Sequence, residues 1–152
     1  MNKLSKRINN LSESATLAMS RLSRELKQQG KDVISLSLGE PDFNTPDFIK
    51  NSAVQAINDN FSHYTPVPGI LELRKSICKK FYRDNNLEFN ENQIVVSTGA
   101  KQSIANVCLS LLDKGDEVIL LAPYWVSYFE IVKLCGAKPI VVESKIENNF
   151  KS

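Results

Sequence analysis

The feature that most constrains the fold is an alternation of short apolar runs and amphipathic segments over residues 94–142. The apolar runs at 94–96, 118–121 and 140–142 predict buried β-strands, because each run is continuous. Between them, residues 102–112 and 125–134 carry apolar side chains at helical spacing. Buried strands separated by helices are typical of a parallel sheet covered on both faces. The pattern therefore predicts an α/β fold with right-handed crossovers.

The first forty residues predict one helix and one short strand. Apolar side chains recur every three or four residues over 15–29, and Gly30 follows as a residue suited to end a helix. Apolar residues then alternate with serines over 34–38, which predicts a strand that ends at Gly39.

Two further helices are expected after the proline-containing loop 40–46. Thr45 is predicted to cap the first of them, with Pro46 in its first turn. The second follows a polar stretch that contains two prolines and Gly69. The inward faces of the two helices are predicted to be Ile49, Ala53, Ala56 and Ile57, then Leu73, Ile77 and Phe81.

The predicted sheet has too few strands to bury its own faces. Three strands with helices between them begin a doubly wound sheet and leave an apolar edge and an uncovered face. Residues 143–152 are polar and add no further strand. We therefore expect this chain to be part of a longer protein.

Charge, hydropathy and cysteine content argue against several functional classes. Nineteen Lys and Arg against 17 Asp and Glu give a net charge of +2, which provides no basic stripe for nucleic acid or an anionic membrane. No apolar run approaches the ~20 residues of a membrane helix, and residues 1–14 lack the apolar core of a secretory signal. Cys78, Cys108 and Cys135 are odd in number and form no CxxC pair. A disulfide framework or zinc site is not expected, and a reducing cytoplasm fits this pattern.

A candidate phosphate site lies at residues 97–102, Ser-Thr-Gly-Ala-Lys-Gln. A predicted strand ends there, a glycine turn follows and a helix begins, so the first N–H groups of the helix point outward with the positive end of its dipole. Gly99 would let an anion approach, and Lys101 would add positive charge. The alternative is an ordinary capped helix, since every α/β protein contains such turns. The spacing matches neither a dinucleotide fingerprint nor a P-loop.

Two other features lie at predicted strand ends, where parallel sheets bind ligands. Trp125 follows the strand at 118–121 and is placed to stack on a planar ring, or to cover the top of the core. Gly39 precedes an acidic, proline-bearing loop and is placed to offer a backbone N–H to an anion, or to form a simple turn. Tyr64, beside the single histidine, His63, is placed to donate its hydroxyl to an oxyanion, although both lie on a polar loop where solvation is the simpler interpretation.

Taken in order, the motifs resemble the N-terminal part of the class I/II aminotransferases, which are pyridoxal 5′-phosphate (PLP) enzymes of the aspartate aminotransferase family. The resemblance covers the chain to about residue 143. The segments that carry it are Ser-Ala-Thr at 14–16, Ser-Leu-Gly-Glu-Pro-Asp-Phe at 37–43, Tyr-Thr-Pro at 64–66, Thr-Gly-Ala-Lys-Gln at 98–102, Gly-Asp-Glu-Val at 115–118 and Pro-Tyr-Trp at 123–125.

The resemblance implies fold type I of the PLP-dependent transferases, here incomplete. Residues 1–46 would form an N-terminal arm and the first elements of a small domain, and residues 47–152 would begin a large PLP-binding domain. It also implies a cytoplasmic enzyme of amino acid biosynthesis that transfers an amino group between an amino acid, aspartate above all, and a 2-oxo acid.

Roles for individual residues follow from the resemblance. Gly99, Ala100 and Lys101 correspond to the turn that binds the cofactor phosphate, and Trp125 to the aromatic side chain stacked on the pyridine ring, where it also borders the substrate. Tyr64 corresponds to a tyrosine that reaches the phosphate in the neighbouring subunit, which implies a homodimer with shared sites. The substrate-binding residues implied are Gly39, through its backbone N–H, and Thr16.

The resemblance also implies what these residues lack. The lysine that holds PLP as a Schiff base lies downstream in the family, and Lys101 belongs to the phosphate turn instead, so residues 1–152 alone are predicted not to transaminate. Ser12 stands where relatives that accept prephenate carry lysine, which disfavours, and does not exclude, that second activity. Two alternatives stay open: another fold type I PLP enzyme, such as a different aminotransferase or a lyase, and a non-catalytic binding module.

Overall fold

The computed structural model describes residues 4–151, which form two compact units. The first unit combines the residues up to Gly39 with those from Gly99 onward, and the second runs from Glu40 to Thr98. The elements in chain order are helices α1 (Lys6–Asn9), α2 (Ala15–Gln28), α3 (Asp47–Asn58) and α4 (Leu71–Asn85), a 3-10 turn (Glu91–Gln93), helix α5 (Ala100–Leu111), strand β1 (Glu117–Ala122), helix α6 (Ser127–Leu134), strand β2 (Lys138–Glu143) and a second 3-10 turn (Ile146–Asn148).

Strands β1 and β2 of the first unit pair in parallel, which confirms the predicted α/β class with a parallel sheet. Their register runs from Glu117 opposite Lys138 to Ala122 opposite Glu143. Helix α6 makes the crossover between the strands, as a parallel pair requires. An exposed ion pair, with 2.8 Å between Lys138 Nζ and Glu117 Oε1, joins the first pair in the register.

The core of the first unit lies between β1 and α6. Leu120 from β1, Ile131 and Val132 from α6, and Ala137 after α6 are all buried. Leu120 lies on the buried face of β1, since alternate residues of a strand point to one face. On the other face, Ile119 and Leu121 are exposed by 66% and 53%. The sheet is therefore apolar on both faces and covered on one.

The second unit is organised around Arg74, near the start of α4. Its Nε donates to the carbonyl oxygen of Gly69 at 3.1 Å, and its Nη1 donates to that of Glu91 at 2.7 Å. These two bonds tie the loop before α4 to the 3-10 turn after it. The N–H of Val96 donates to the carbonyl of Pro68 at 3.0 Å, which adds a second tie to the same loop.

Two strand predictions are wrong for this chain. Residues 94–96 and 34–38 form no strand. A strand needs a partner backbone for its hydrogen bonds, and within residues 4–151 the paired strands are β1 and β2 alone. Ile94 is nevertheless buried, whereas Ile34 and Leu36 are exposed by 85% and 90%. The sheet therefore has two strands where three were predicted.

The five predicted helices are present, with shifts at their ends, whereas the sequence pattern does not predict the short helix α1. Pro46, not Thr45, is the N-cap of α3, and α5 begins at Ala100, two residues earlier than expected. Helix α6 begins at Ser127, so Trp125 lies in the turn before it. Helix α2 matches its prediction, with Gly30 just beyond it at φ +79°.

The predicted inward faces of the helices are largely exposed. Ile49 and Ile57 of α3 are exposed by 47% and 74%, and Leu22 of α2 by 54%. In α4, Phe81 is half-buried and meets Phe89 edge-to-face, with 5.4 Å between ring centroids. The apolar stripes of these helices exist as predicted, but few side chains of residues 4–151 pack against them.

Between residues 4 and 151, no helix combines the length and hydropathy that crossing a bilayer requires. The three cysteines carry free thiols.

Candidate active site

The turn that starts α5 has the backbone geometry of an anion site. Gly99 is the N-cap, at φ +85° and ψ +161°, a conformation that L-residues with a Cβ rarely adopt. Its carbonyl accepts from the N–H groups of Gln102 at 3.1 Å and Ser103 at 3.3 Å. The helix provides no carbonyl one turn earlier for the N–H groups of Ala100 and Lys101. Because the first turn of α5 contains no acidic side chain, the positive end of the helix dipole is not neutralised there.

Lys101 and Trp125 contact each other beside this turn. The Nζ atom of Lys101 lies 5.9 Å from the centroid of the Trp125 ring, within the range of a cation–π interaction. Trp125 is 48% exposed. It is held at the carboxyl end of β1, where its carbonyl accepts from the N–H of Tyr128 at 3.0 Å. The structure thus brings together two residues that the sequence marks separately.

A cavity of about 420 Å³ borders Lys101. It lies between the segment of residues 10–14 that precedes α2, here called the N-terminal arm, and helix α6. Its lining residues are Leu11, Ser12, Glu13, Ser14, Ala15, Lys101, Tyr124, Val126, Ser127, Phe129, Glu130, Ile131 and Leu134. The wall is mostly apolar, with hydroxyl groups on the arm and charged groups at Glu13, Lys101 and Glu130.

Glu130 connects the two sides of this cavity. Its Oε2 accepts from the backbone N–H of Ser12 at 3.1 Å, across 118 residues of sequence. Lys133 Nζ lies 3.3 Å from each oxygen of the same carboxylate. The two side chains are half-buried, at 26% and 28% exposure. Sequence reasoning missed this contact, because the Glu–Lys spacing indicates only an ion pair within α6.

The structure places the other predicted site residues as follows. Thr16 lies in the first turn of α2 and is half-buried. Gly39 lies within residues 31–46, which form no helix or strand, and a Cβ built on it would meet no atom within 4 Å. Tyr64 belongs to the second unit, in the loop before α4, with its side chain fully exposed. The first unit therefore brings Gly99, Ala100, Lys101 and Trp125 together.

Three pKa shifts lie outside this cluster: the pKa values of Cys135 and Arg83 are raised, and that of Asp84 is lowered. Burial raises the pKa of the Cys135 thiol at the end of α6, and nearby Cys108 adds to the effect. On the surface of α4, hydrogen bonds from Arg83 and then Lys80 lower the pKa of Asp84 to about 2. In residues 4–151, no group of three or more His, Cys, Asp or Glu side chains could hold a metal ion.

Comparison with known proteins shows the family of this chain. The family model for aminotransferase class I and II matches residues 31–152. This chain belongs to that family. The aspartate aminotransferase of Bacillus subtilis is 50% identical over 149 residues, which cover 98% of this chain and 38% of that protein. A probable aspartate/prephenate aminotransferase of Rickettsia felis is 49% identical over 151 residues, 99% of this chain and 37% of that protein.

A solved structure shows that the fold is shared as well. The aspartate aminotransferase from Thermus thermophilus with maleate superposes with a TM-score of 0.95 at 41% identity. The superposition covers all of this chain and 40% of that one. This chain therefore has the architecture of fold type I. It spans about two fifths of the length of the relatives that it matches.

Proposed function

We propose that this chain is the N-terminal part of a longer PLP-dependent aminotransferase that transfers the amino group of an amino acid, aspartate in the first instance, to a 2-oxo acid. The observation that carries the proposal is the Gly99–Lys101 turn beside Trp125, in a chain that belongs to the aminotransferase family. A turn of free N–H groups at a helix N-terminus fits a phosphate, and an exposed indole fits a planar ring. The residues present therefore suit PLP.

Within this proposal, each residue has a binding role. The backbone N–H groups at Ala100 and Lys101 hold the cofactor phosphate, and Trp125 holds the pyridine ring in one plane. Gly39 donates its N–H to the α-carboxylate of the substrate, and Thr16 borders the substrate side chain. Rigid holding of cofactor and substrate would align the Cα–H bond for proton removal. When bound, PLP supplies the electron sink for that step.

The active protein is proposed to be a cytoplasmic homodimer whose subunits share their active sites. Full exposure of Tyr64 supports this, since a tyrosine on an open loop is available to a neighbouring subunit. The division into an arm with the first elements of a small domain (1–46) and the N-terminal part of a large PLP-binding domain (47–152) is part of the same proposal. The proposal also places the lysine that anchors the cofactor beyond residue 152 in the longer protein.

The experiment that tests this function uses the longer protein that contains this chain. After purification with PLP, we expect a cofactor absorption band near that of other PLP enzymes and formation of oxaloacetate from aspartate and 2-oxoglutarate. Parallel reactions with alanine and with prephenate define the substrate range. A band with no oxo-acid product from any amino acid would indicate a different PLP enzyme, and absence of the band would contradict cofactor binding.

Replacement of Gly99 by alanine in that protein is expected to weaken PLP binding about tenfold. The alanine Cβ meets no atom within 4 Å, so the cost is the backbone conformation at φ +85° and ψ +161°, which is essentially restricted to glycine, on the order of 1–3 kcal/mol. Relaxation of this strain would turn the N–H groups of Ala100 and Lys101 away from the phosphate. The measurement is the PLP dissociation constant, from absorbance or fluorescence titration of the apoprotein.

Gly30→Ala provides the matched control. Gly30 has φ +79° and equally open surroundings, but it lies at the end of α2, outside the turn. We expect Gly30→Ala, which also places a Cβ at positive φ, to lower stability and to leave PLP binding unchanged. If the Gly99→Ala and Gly30→Ala proteins bind PLP with equal affinity, the Gly99 turn does not bind the cofactor.

A further inference from the structure

The contact that the proposed function leaves unexplained is the bond between Glu130 and the N-terminal arm. The carboxylate of Glu130 accepts from the N–H of Ser12 at 3.1 Å and is paired with Lys133 at 3.3 Å. A backbone N–H bonded to a half-buried carboxylate is a charge-assisted hydrogen bond, stronger than one between neutral groups. The bond joins α6 to a segment 118 residues away.

The next residue of the arm is tied to α2. Glu13 Oε1 lies 2.9 Å from Arg21 Nη1. Ser14, the N-cap of α2, makes no capping hydrogen bond with its side chain, so its own cap does not fix the start of the helix. The position of the first turn of α2 therefore depends on what holds the arm.

Both ends of this connection lead to proposed ligand contacts. On one side, Thr16 lies in the first turn of α2, four residues after Ser12. On the other, Trp125 lies five residues before Glu130, in the turn that leads into α6. A bond between Ser12 and Glu130 thus limits how far Thr16 can move from the element that carries Trp125.

We propose that Glu130 is a positioning residue, which anchors the N-terminal arm and thereby sets the substrate-binding position of Thr16. This inference rests on the proposed function for its kinetic consequence, but the anchoring itself does not depend on it. Glu130 acts on the arm and not on the phosphate turn, so its loss affects substrate binding and leaves cofactor binding intact.

The test compares three variants of the longer protein, loaded with PLP. Glu130→Ala removes the acceptor, and Glu130→Gln keeps an oxygen that accepts from the Ser12 N–H. Glu117→Ala is the control, because it breaks an exposed ion pair with Lys138 outside the cavity. Thermal denaturation and the cofactor band establish that each variant is folded and loaded.

Glu130→Ala is expected to raise KM for the amino acid about five- to tenfold, with kcat within about twofold of wild type. Hydrogen exchange of the Ser12 amide is expected to become about tenfold faster. In Glu130→Gln, the KM for the amino acid and the exchange rate of the Ser12 amide are expected to return most of the way to their wild-type values. Glu117→Ala is expected to change neither quantity. Unchanged exchange at Ser12 in Glu130→Ala would overturn the anchoring, and unchanged KM in an active enzyme would overturn the positioning role.

The two readouts separate this inference from the proposed function. If the longer protein neither binds PLP nor transaminates, the proposed function fails, and the Ser12 amide still decides whether Glu130 holds the arm. If the wild type is active and Glu130→Ala leaves exchange and KM unchanged, the proposed function stands and the role of Glu130 is refuted.

Discussion

Residues 1–152, produced without further sequence, are expected to show no cooperative unfolding transition and no transaminase activity. The chain exposes 13094 Å² of surface. A compact monomer of its mass exposes roughly 7,800 Å², and even two separate globules of half that mass expose roughly 9,400 Å² together. Among residues 4–151, five apolar side chains form the buried core. Burial of so few side chains cannot offset the conformational entropy of ordering about 150 residues.

Urea titration followed by circular dichroism and by the fluorescence of the single tryptophan measures this directly. We expect the circular dichroism and fluorescence signals to change gradually and with different midpoints. We also expect the chain to bind an apolar dye strongly and to associate at micromolar concentration. The longer protein, which is expected to cover this surface, is the control and is expected to unfold sharply. A monomeric 152-residue species with one sharp transition would contradict the prediction and would favour a free-standing binding module.

Gly69→Ala is expected to destabilise the longer protein by roughly 2–4 kcal/mol, the largest effect of a single substitution proposed for this chain. Gly69 has φ +99°, which already strains any residue with a Cβ. The added carbon would also lie 2.8 Å from Cγ2 and 3.0 Å from Cβ of Val96. A change of side-chain rotamer cannot relieve the second contact, because Cβ is fixed by the backbone. The loop before α4 or the segment of Val96 must therefore move.

That movement would also disturb the hydrogen bonds that hold the loop. The Gly69 carbonyl accepts from Arg74, and the neighbouring Pro68 carbonyl accepts from Val96. The free energy of unfolding, from denaturant titration, is the measurement. Gly30→Ala again serves as the control, because it has the backbone strain without the clash. If the free energy of unfolding falls equally in the two variants, the close contact with Val96 does not contribute to the destabilisation.

The helices and the α/β class could be predicted from local sequence. The stripe and terminal glycine of α2, and the alternation of β1, α6 and β2, are local signals that need no knowledge of distant residues. Residues 34–38 and 94–96 show where local signals fail. Their apolar patterns suit a strand, but a strand exists only where a partner supplies hydrogen bonds.

The candidate site also combines features that local sequence reveals with contacts that it does not reveal. The glycine turn at Gly99 and the tryptophan after β1 are visible in the sequence, because strand ends and helix starts position them locally. The contact of Lys101 with Trp125, the approach of Val96 to Gly69, and the bond from Ser12 to Glu130 are not visible there, because each joins residues distant along the chain. The sequence by itself determined the helices α2 to α6, the two paired strands, the family and the glycine turn before α5, since these depend on local spacing and residue type. Only the tertiary structure decided which side chains meet, since packing and long-range hydrogen bonds depend on how the chain folds back on itself.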